Sequence, residues 1–354
     1  MKPEDYNYHL PQELIAHTPA VPRDSARLLV YSTKTDEIVF DTFAHISRYI
    51  PSHALLVLND TQVVPARLEL MKLTGGTVRV LFLINEWRSV RQADGGKNEL
   101  IKGLPDRKLS IGDRLFFNHK GILEVVSQKN EEFTFRLHIS VDEFEKIYRS
   151  QGQTPLPPYI QSTLNETETR DKYQTIFASK PSSVAAPTAS LHFTEQVFQS
   201  LASKGIERTT VTLHVGRGTF SPLTPERIQE KKLHTEPIQV SEESAEKIMR
   251  AKKEHKMIVA SGTTATRTLE ATAEYILKGE GYTGETSLMI TPPYEFKIVD
   301  AILTNFHLPH TSLIMLVDAF LQSKNAQKSW RELYDRAIRE KMRFYSFGDA
   351  MLII

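Results

Sequence analysis

The sequence contains no cysteine among its 354 residues. This absence excludes disulfides, thiolate metal sites, iron–sulfur clusters and cysteine nucleophiles, and it fits a reducing compartment. An excess of one charge is also missing, because 44 Lys and Arg residues stand against 43 Asp and Glu residues, a formal net charge of +1. A polyanionic partner such as RNA would therefore have to bind through local clusters of basic residues.

Long hydrophobic runs are missing as well. The strongest run, Leu313–Val317, ends at Asp318 after five residues, whereas a membrane-spanning helix needs about 20. The N-terminal residues include Glu4 and Asp5, and no apolar stretch follows them, so we expect no signal peptide. These features favour a soluble, cytoplasmic protein with no membrane partner.

The hydrophobic pattern favours a layered α/β fold. Continuous apolar runs of strand length are typical of strands buried on both faces of a parallel sheet. Such runs occupy Arg27–Tyr31, Ala54–Leu58 and Met257–Ala260, and Thr209–Val215 is a further predicted strand. Periodicity and capping residues predict helices at Asp5–Leu14, Thr194–Lys204, Ser241–Arg250, Thr266–Leu277 and Trp330–Lys341.

Residues 65–150 have a different pattern. Short strand-like runs such as Arg114–Phe117, Ile122–Val126 and Phe133–His138 follow one another with turn signals about every ten residues, as in a small barrel. A proline-rich joint follows at residues 151–159. We therefore predict a main α/β layered domain, formed by residues 1–64 plus 151–354, that is interrupted by an inserted small antiparallel β-barrel domain at residues 65–150.

The predicted barrel carries local positive charge. Between Arg67 and Arg114, ten Lys and Arg residues face six Asp and Glu residues, which leaves +4. Lys102, Arg107 and Lys108 belong to this basic window. Two interpretations stay open, a solvated barrel surface or a patch that faces RNA.

Polar segments follow the strands of the predicted α/β sheet. Four of them are Asn59–Thr61, His214–Phe220, Ser261–Arg267 and Thr304–Pro309. Loops after the carboxyl ends of parallel strands form the ligand crevice of α/β sheets, although each segment alone is also compatible with an ordinary turn. No metal-ligand spacing, phosphate-binding Gly-Lys-Ser/Thr or Gly-x-Ser-x-Gly elbow occurs, so we expect no metal site.

Several ordered motifs span nearly the whole chain. They are Tyr8–Ala16, Pro22–Ser25, Leu58–Thr61 with Pro65–Arg67, Thr74–Gly76, Pro155–Ile160, Ala185–Thr194, Val211–Phe220, Gly262–Thr264 with Arg267, Leu303–Pro309 and Phe347–Leu352. Through them the chain resembles the S-adenosylmethionine:tRNA ribosyltransferase-isomerase family, whose members make epoxyqueuosine in tRNA.

The resemblance implies a reaction and its partners. The ribosyl part of S-adenosylmethionine is transferred to the aminomethyl group of 7-aminomethyl-7-deazaguanine at the wobble position of tRNA. Adenine and methionine leave, and the ribose rearranges to an epoxycyclopentane. S-adenosylmethionine is then a consumed co-substrate and no cofactor is implied. The macromolecular partner is the tRNA anticodon loop, and a monomer is favoured although the oligomeric state stays open.

Such a reaction needs a base for the proton on the carbon beside the sulfonium and a proton donor for adenine. We expect His214 and His307 in these roles, with His192 and Asp60 in reserve. Arg23, Arg67 and Arg267 are candidates for tRNA phosphate or the methionine carboxylate. The remaining substrate-binding candidates are Asp24, Asn59, Thr61, Gly216, Gly218, Thr219, Phe220, Thr263, Thr264, Tyr294, Asn305, Phe306, Tyr345 and Asp349. For Phe220, Phe306 and Tyr345, stacking on a base and packing in the core are both open.

Two other functions stay open. Arg79, Lys231 and Pro293 stand where the family usually has other residues, which leaves room for an enzyme of the same fold that acts on another nucleobase. The second is a catalytically silent module that binds tRNA without consuming S-adenosylmethionine.

Overall fold

The computed structural model describes residues 2–91, 97–157, 160, 163–216 and 225–354. Eighteen strands lie in these ranges. They are β1 (Arg27–Tyr31), β2 (Ile38–Thr42), β3 (Leu55–Asn59), β4 (Thr61–Val63), β5 (Arg67–Lys72), β6 (Thr77–Phe82), β7 (Arg88–Arg91), β8 (Lys97–Pro105), β9 (Arg114–Phe117), β10 (Lys120–Lys129), β11 (Glu132–Leu137), β12 (Lys180–Ser183), β13 (Glu207–Leu213), β14 (Lys232–Val240), β15 (Ile258–Ser261), β16 (Tyr282–Leu288), β17 (Ala301–Asn305) and β18 (Ala350–Ile353).

The same ranges hold nine α-helices. They are α1 (Val141–Gln151), α2 (Glu166–Lys172), α3 (Glu195–Ser203), α4 (Pro225–Glu230), α5 (Glu242–Lys253), α6 (Thr263–Ala271), α7 (Ala273–Ile276), α8 (Ser312–Ser323) and α9 (Trp330–Arg339). The predicted caps of two helices are confirmed. Thr194 accepts a hydrogen bond from the amide of Val197 before α3, and Ser241 accepts one from the amide of Ser244 before α5.

Two helix predictions are wrong in detail. In place of a helix over Asp5–Leu14, the chain forms two short 3₁₀ helices, Pro3–Tyr6 and Gln12–Leu14, with Pro11 directly before the second. Proline lacks the amide that a continuous helix would need at that point. The helix predicted over Thr266–Leu277 starts earlier, at Thr263, and is divided at Thr272 into α6 and α7.

A nine-stranded sheet forms the main layer, in the order β16-β14-β13-β3-β15-β17-β18-β1-β2. Its four central strands, β13, β3, β15 and β17, are parallel. All residues of β3, β15 and β17 are buried. Alternate residues of β3 face opposite layers: Leu55 and Val57 join the core beneath α5–α9, and Leu56 and Leu58 join the core beneath α3. The predicted sheet of doubly buried parallel strands is confirmed.

A separate antiparallel sheet forms a closed barrel. Six strands pair in a ring, β11-β10-β9-β5-β6-β8, and β8 closes on β11, while β7 extends from β8. Register shifts interrupt β10 at 121–123 and at 125–127, and such irregularities help a sheet curve into a barrel. The predicted fold class, a layered α/β unit with a small antiparallel barrel, is confirmed. The proposed domain limits at 64/65 and 150/151 remain a prediction.

The chain enters and leaves the barrel at one place. Arg67 and Gln153 form an antiparallel bridge, with backbone N···O distances of 3.2 and 2.8 Å. At Gly152 a Cβ atom would lie 1.8 Å from the carbonyl oxygen of Pro65 and 2.3 Å from that of Tyr148. Only a residue without a side chain permits so close a crossing of the two segments.

Candidate functional site

The four predicted polar segments begin at the same edge of the nine-stranded sheet. Because β13, β3, β15 and β17 are parallel neighbours, the residues that follow their carboxyl ends emerge side by side. We call this region the carboxyl edge, and we define it by Asn59–Thr61, His214–Gly216, Gly262–Thr264 and Asn305–His307. The expected convergence of four loops is present for their described residues.

Asn59 ties three of the strands together. Its Nδ2 atom donates to the carbonyl oxygen of Leu213 and to the hydroxyl of Thr264, both at 3.1 Å. Its Oδ1 atom accepts from the amides of Thr61 and Leu213, also at 3.1 Å. The side chain is fully buried and its amide is occupied by these four bonds. Asn59 therefore positions the edge and has no amide atom left for a ligand.

One group at the edge combines an imidazole, a hydroxyl and a carboxylate, contributed by His214, Thr61 and Asp60. The hydroxyl of Thr61 lies 2.8 Å from Nδ1 of His214. The carboxylate of Asp60 accepts from the Thr212 hydroxyl at 2.6 Å. Burial lowers the pKa of His214, although the negative charge of Asp60 acts in the opposite direction. The imidazole is therefore neutral at pH 7, and its Nε2 atom has no hydrogen-bond partner among the described residues.

His307 stands farther along the edge. Its Nε2 atom lies 2.9 Å from the hydroxyl of Thr304, and burial lowers its pKa to about 3. His214 follows β13 and His307 follows the residue after β17, which is three strand spacings away, or about 14 Å along the edge. The two histidines therefore cannot act on a single atom, but they can flank a ligand of nucleoside size.

The centre of the edge holds small hydroxyl and amide groups. Thr263 and Thr264 open α6 and are half-buried, with Gly262 before them at a φ of 91°. Amides of a first helical turn suit a carboxylate or phosphate group. Asn305 is buried and bonded on both sides, because its Oδ1 accepts from the Thr188 hydroxyl at 3.1 Å and its Nδ2 donates to the carbonyl oxygen of Asp349 at 3.4 Å.

Arg267 is held by a buried carboxylate. Its guanidinium forms an ion pair with Glu236, and its Nε atom donates to the carbonyl oxygen of Leu288 at 2.9 Å. Both partners of the pair are buried, with 7% and 5% of the side chains exposed. Glu236 also accepts from the amide of Gly216 at 3.2 Å. The ion pair connects α6 to β14, so Arg267 helps to hold these two elements together.

Asp349 and Phe306 are likewise engaged by contacts within the protein. The carboxylate of Asp349 accepts from the backbone amides of Arg27 and Arg343 at 3.0 and 2.8 Å, which makes it a turn-stabilising residue. Phe306 is fully buried and packs against Tyr334 and Phe344, so the alternative of core packing applies to it and its ring has no free face for a base. Tyr345, next to Phe344, is partly exposed.

His192 and Tyr294 lie outside the group around His214. His192 is 4% exposed, its ring lies 5.1 Å from that of Phe43, and burial together with the charge of Arg343 lowers its pKa to about 4. Tyr294 interacts with Glu270 near the end of α6, at the opposite edge of the sheet. Tyr294 therefore lies away from the carboxyl edge, and His192 is packed in the core.

The remaining charged candidates form hydrogen bonds with other residues of the protein. Arg23 donates to the carbonyl oxygens of Asp171 and Gln174, and Asp24 accepts from the hydroxyl of Thr194 at 2.8 Å. Arg67 is half-buried and donates to the carbonyl oxygen of Leu156 at 3.4 Å. Gly218, Thr219 and Phe220 lie outside the described residues.

Of the basic barrel residues, Lys102 is paired with acidic residues of the barrel. It forms salt bridges with Glu86 and Glu132 at 2.8 and 3.0 Å, so its charge is already neutralised. Arg107 and Lys108 are exposed.

The three residues that depart from the family pattern do not belong to the carboxyl edge as defined here. Arg79 forms an exposed ion pair with Glu69 on the barrel at 3.1 Å. Pro293 follows Pro292 through a cis peptide bond and is exposed. Lys231 lines a cavity together with residues 2–4.

A cavity of about 540 Å³ adjoins the edge on the barrel side. Gln62 and Val63 line it directly after Thr61, and Arg149 and Arg170 line it from the barrel exit and α2. Within the described ranges, no group of His, Asp or Glu side chains is arranged to hold a metal ion. None of the described helices has the length and apolar character needed to cross a membrane.

Sequence reasoning missed Thr188, Glu236 and Asn85. Thr188 lies in a quoted motif, but its bond to Asn305 depends on a loop folding back over β17. Glu236 lies in β14, and no spacing signal connects it to Arg267. Asn85 belongs to the barrel and lies against Gly216, a contact that only the packing of the two sheets creates.

The architecture is thus an α/β sheet with a polar carboxyl edge, accompanied by an antiparallel β-barrel. A family described as queuosine biosynthesis protein matches residues 3–353. The chain belongs to this family, which confirms the resemblance seen in the motifs.

Relatives of full length support this assignment. An S-adenosylmethionine:tRNA ribosyltransferase-isomerase of Carboxydothermus hydrogenoformans is 42% identical over 366 residues, and one of Thermotoga maritima is 40% identical over 354 residues; each comparison covers 100% of both chains. The crystal structure of an S-adenosylmethionine tRNA ribosyltransferase from Thermotoga maritima matches with a TM-score of 0.54 and 31% identity, over 99% of this chain and 100% of that one. The predicted enzyme class and its place in queuosine biosynthesis are confirmed.

Proposed function

We propose that this protein transfers and isomerises the ribosyl part of S-adenosylmethionine onto 7-aminomethyl-7-deazaguanine at the wobble position of tRNA. The products are epoxyqueuosine-tRNA, adenine and methionine. The observation that carries the proposal is the full-length similarity to ribosyltransferase-isomerases. The carboxyl edge, with a neutral imidazole beside a carboxylate, supplies groups that suit this chemistry.

His214 is the base in this proposal. Its lowered pKa keeps the imidazole neutral at pH 7, and Nε2 is free of partners among the described residues, so it can take the acidic proton from the carbon beside the sulfonium. The nearby charge of Asp60 then stabilises the protonated ring. The Thr61 hydroxyl, 2.8 Å from Nδ1, sets the orientation of the ring.

His307 assists the departure of adenine. With a pKa of about 3 it carries no positive charge at pH 7, so it does not act as an imidazolium acid. A neutral imidazole still has one N–H group, which can donate a hydrogen bond to a nitrogen of the leaving base. Binding of the anticodon loop beside the barrel brings the wobble base to the edge without opening a duplex.

The proposal is tested with the purified protein, S-adenosylmethionine and an anticodon stem-loop that carries 7-aminomethyl-7-deazaguanine. We expect equal amounts of adenine and methionine by chromatography and a modified nucleoside of matching mass. A stem-loop with guanine at the same position is the control. A protein that binds the stem-loop but releases no adenine would be a silent tRNA-binding module, and release with a different base would identify another substrate.

A further inference from the structure

The barrel contributes one polar side chain to the carboxyl edge. Asn85 lies in the 3₁₀ helix Ile84–Glu86 that follows β6, and it approaches Gly216 just after β13. A Cβ atom built on Gly216 would lie 3.1 Å from Nδ2 of Asn85 and 4.0 Å from Cγ of Glu236. Asn85 is therefore a point where the barrel meets the edge of the main sheet.

The amide of Asn85 is buried and unused. Neither its Nδ2 nor its Oδ1 atom has a hydrogen-bond partner within the described part of the chain. Buried amide groups are normally paired, because loss of their bonds to water costs free energy. The unpaired Nδ2 and Oδ1 atoms of Asn85 therefore indicate a binding position for a ligand that supplies both hydrogen bonds.

The backbone around Asn85 is held firmly. The amide of Leu83 donates to the carbonyl oxygen of Lys102 at 2.9 Å, and that of Glu86 donates to the carbonyl oxygen of Leu83 at 2.8 Å. The side chain of Glu86 also forms a salt bridge with Lys102 at 2.8 Å. These contacts fix the turn on both sides of Asn85, so that its unpaired amide is presented toward Gly216 in advance of binding.

We propose that Asn85 is a specificity-determining residue that reads the hydrogen-bonding edge of a purine-like base at the junction of barrel and sheet. A carboxamide offers one donor and one acceptor side by side, which match the adjacent acceptor and donor on an adenine edge. The O6 and N1–H groups of a deazaguanine have the same chemistry. The inference rests on the proposed function, which brings both the adenosyl group and the tRNA base to this edge.

Gly216 fits this role. A methyl group at this position would stand 3.1 Å from Nδ2 of Asn85 and would compete with any ligand for the side of the amide that faces residue 216. The variant Gly216→Ala should therefore weaken the same ligand as a change at Asn85. The Gly216→Ala variant therefore tests the same contact while the Asn85 side chain is still present.

The test compares Asn85→Ala and the isosteric Asn85→Asp with the wild-type protein. Gln128→Ala, which truncates an exposed amide in β10, is the matched control. KM is measured separately for S-adenosylmethionine and for the stem-loop, binding of S-adenosylmethionine to the free protein is measured by calorimetry, and Tm is recorded. We expect one KM to rise about 5- to 150-fold, which corresponds to about 1–3 kcal/mol for a two-bond base contact, with Tm unchanged or higher.

The KM that rises identifies the nucleobase that Asn85 contacts. A rise in KM and weaker calorimetric binding for S-adenosylmethionine assign Asn85 to adenine, and a rise confined to the stem-loop assigns it to the tRNA base. Unchanged KM values for both substrates, or a fall in Tm without a change in KM, would overturn the inference. If the wild-type protein releases no adenine, the proposed function fails by itself, and the affinities of the Asn85 variants for the two substrates still decide the role of Asn85.

Discussion

The hydroxyl oxygen of Thr61 lies 2.8 Å from Nδ1 of His214, although 153 positions separate the two residues in the chain. Thr61 follows β3 and His214 follows β13, and these strands are parallel neighbours. The contact therefore results directly from the order of strands in the sheet. It places a neutral imidazole next to Asp60, which is the arrangement on which the proposed proton transfer depends.

Replacement of either proposed catalytic histidine should reduce turnover more than stability. For His214→Ala and His307→Ala we expect adenine release in a single turnover to fall about 10²- to 10⁴-fold, the usual contribution of general acid–base catalysis. His9→Ala, at an exposed position, should behave as wild type. Normal melting together with wild-type rates would remove the histidine concerned from the catalytic group.

The buried Arg267–Glu236 pair should matter for stability and not for substrate affinity. Arg267→Leu leaves the Glu236 carboxylate buried without its cation, which should lower the free energy of unfolding by about 3–5 kcal/mol. Arg79→Ala breaks the exposed pair with Glu69 and should cost about 0–1 kcal/mol. Urea unfolding measures both changes. A large rise in KM for S-adenosylmethionine with unchanged stability in Arg267→Leu would restore this residue to the substrate-binding group.

Gly152→Ala should disrupt the junction of the barrel with the sheet. The new methyl group would lie 1.8 Å from the Pro65 carbonyl oxygen and 2.3 Å from that of Tyr148, and backbone atoms cannot move away as a flexible side chain can. We expect a fall in stability of more than about 3 kcal/mol, at the high end for point mutations. Gly76→Ala, where nothing lies within 4 Å, is the control. Equal melting temperatures for the two variants would show that the crossing is not tight in solution.

Acid should destabilise the protein through its buried histidine His192. Burial lowers the pKa of His192 from 6.5 to about 4, so between these values the unfolded chain binds a proton that the folded chain does not. Stability should therefore decrease as the pH falls from about 6.5 to about 4, by up to about 1.4 kcal/mol per pH unit for this group. His192→Gln should flatten the pH dependence of the free energy of unfolding, and His9→Gln should not. A slope that is the same in His192→Gln and the wild type would contradict a neutral buried imidazole.

RNA affinity should depend on salt although the net charge is near zero. Each phosphate contact contributes about 0.7–0.9 to the slope of log affinity against log salt. The exposed Arg107 and Lys108 are the candidates on the barrel, so Arg107→Ala with Lys108→Ala should reduce the slope in a filter-binding titration. Lys102→Gln should leave the slope unchanged, because Glu86 and Glu132 already neutralise this lysine. An unaltered slope in the double variant would mean that the basic window is solvated surface.

The local sequence pattern was sufficient to predict the main strands and helices. The apolar runs that became β1, β3 and β15 are almost completely buried, because a sheet covered on both faces hides both sets of alternating side chains. Thr194 begins its helix because a short hydroxyl side chain satisfies an amide at the N-terminus. The failure at Asp5–Leu14 has an equally local cause, since Pro11 cannot donate a helical hydrogen bond.

The candidate site was only partly determined by the sequence. The sequence by itself determined which segments are polar and follow strands, since that depends on neighbouring residues alone, and its motifs determined the family. The tertiary structure decided which of those polar groups are free. Arg267, Asp349 and Phe306 carry side chains that suit a substrate, yet each contacts a partner distant in sequence, Glu236, Arg27 or Tyr334. Asn85 looks ordinary in the sequence but is left unpaired against Gly216, because strand order and the packing of the barrel determine which distant side chains meet.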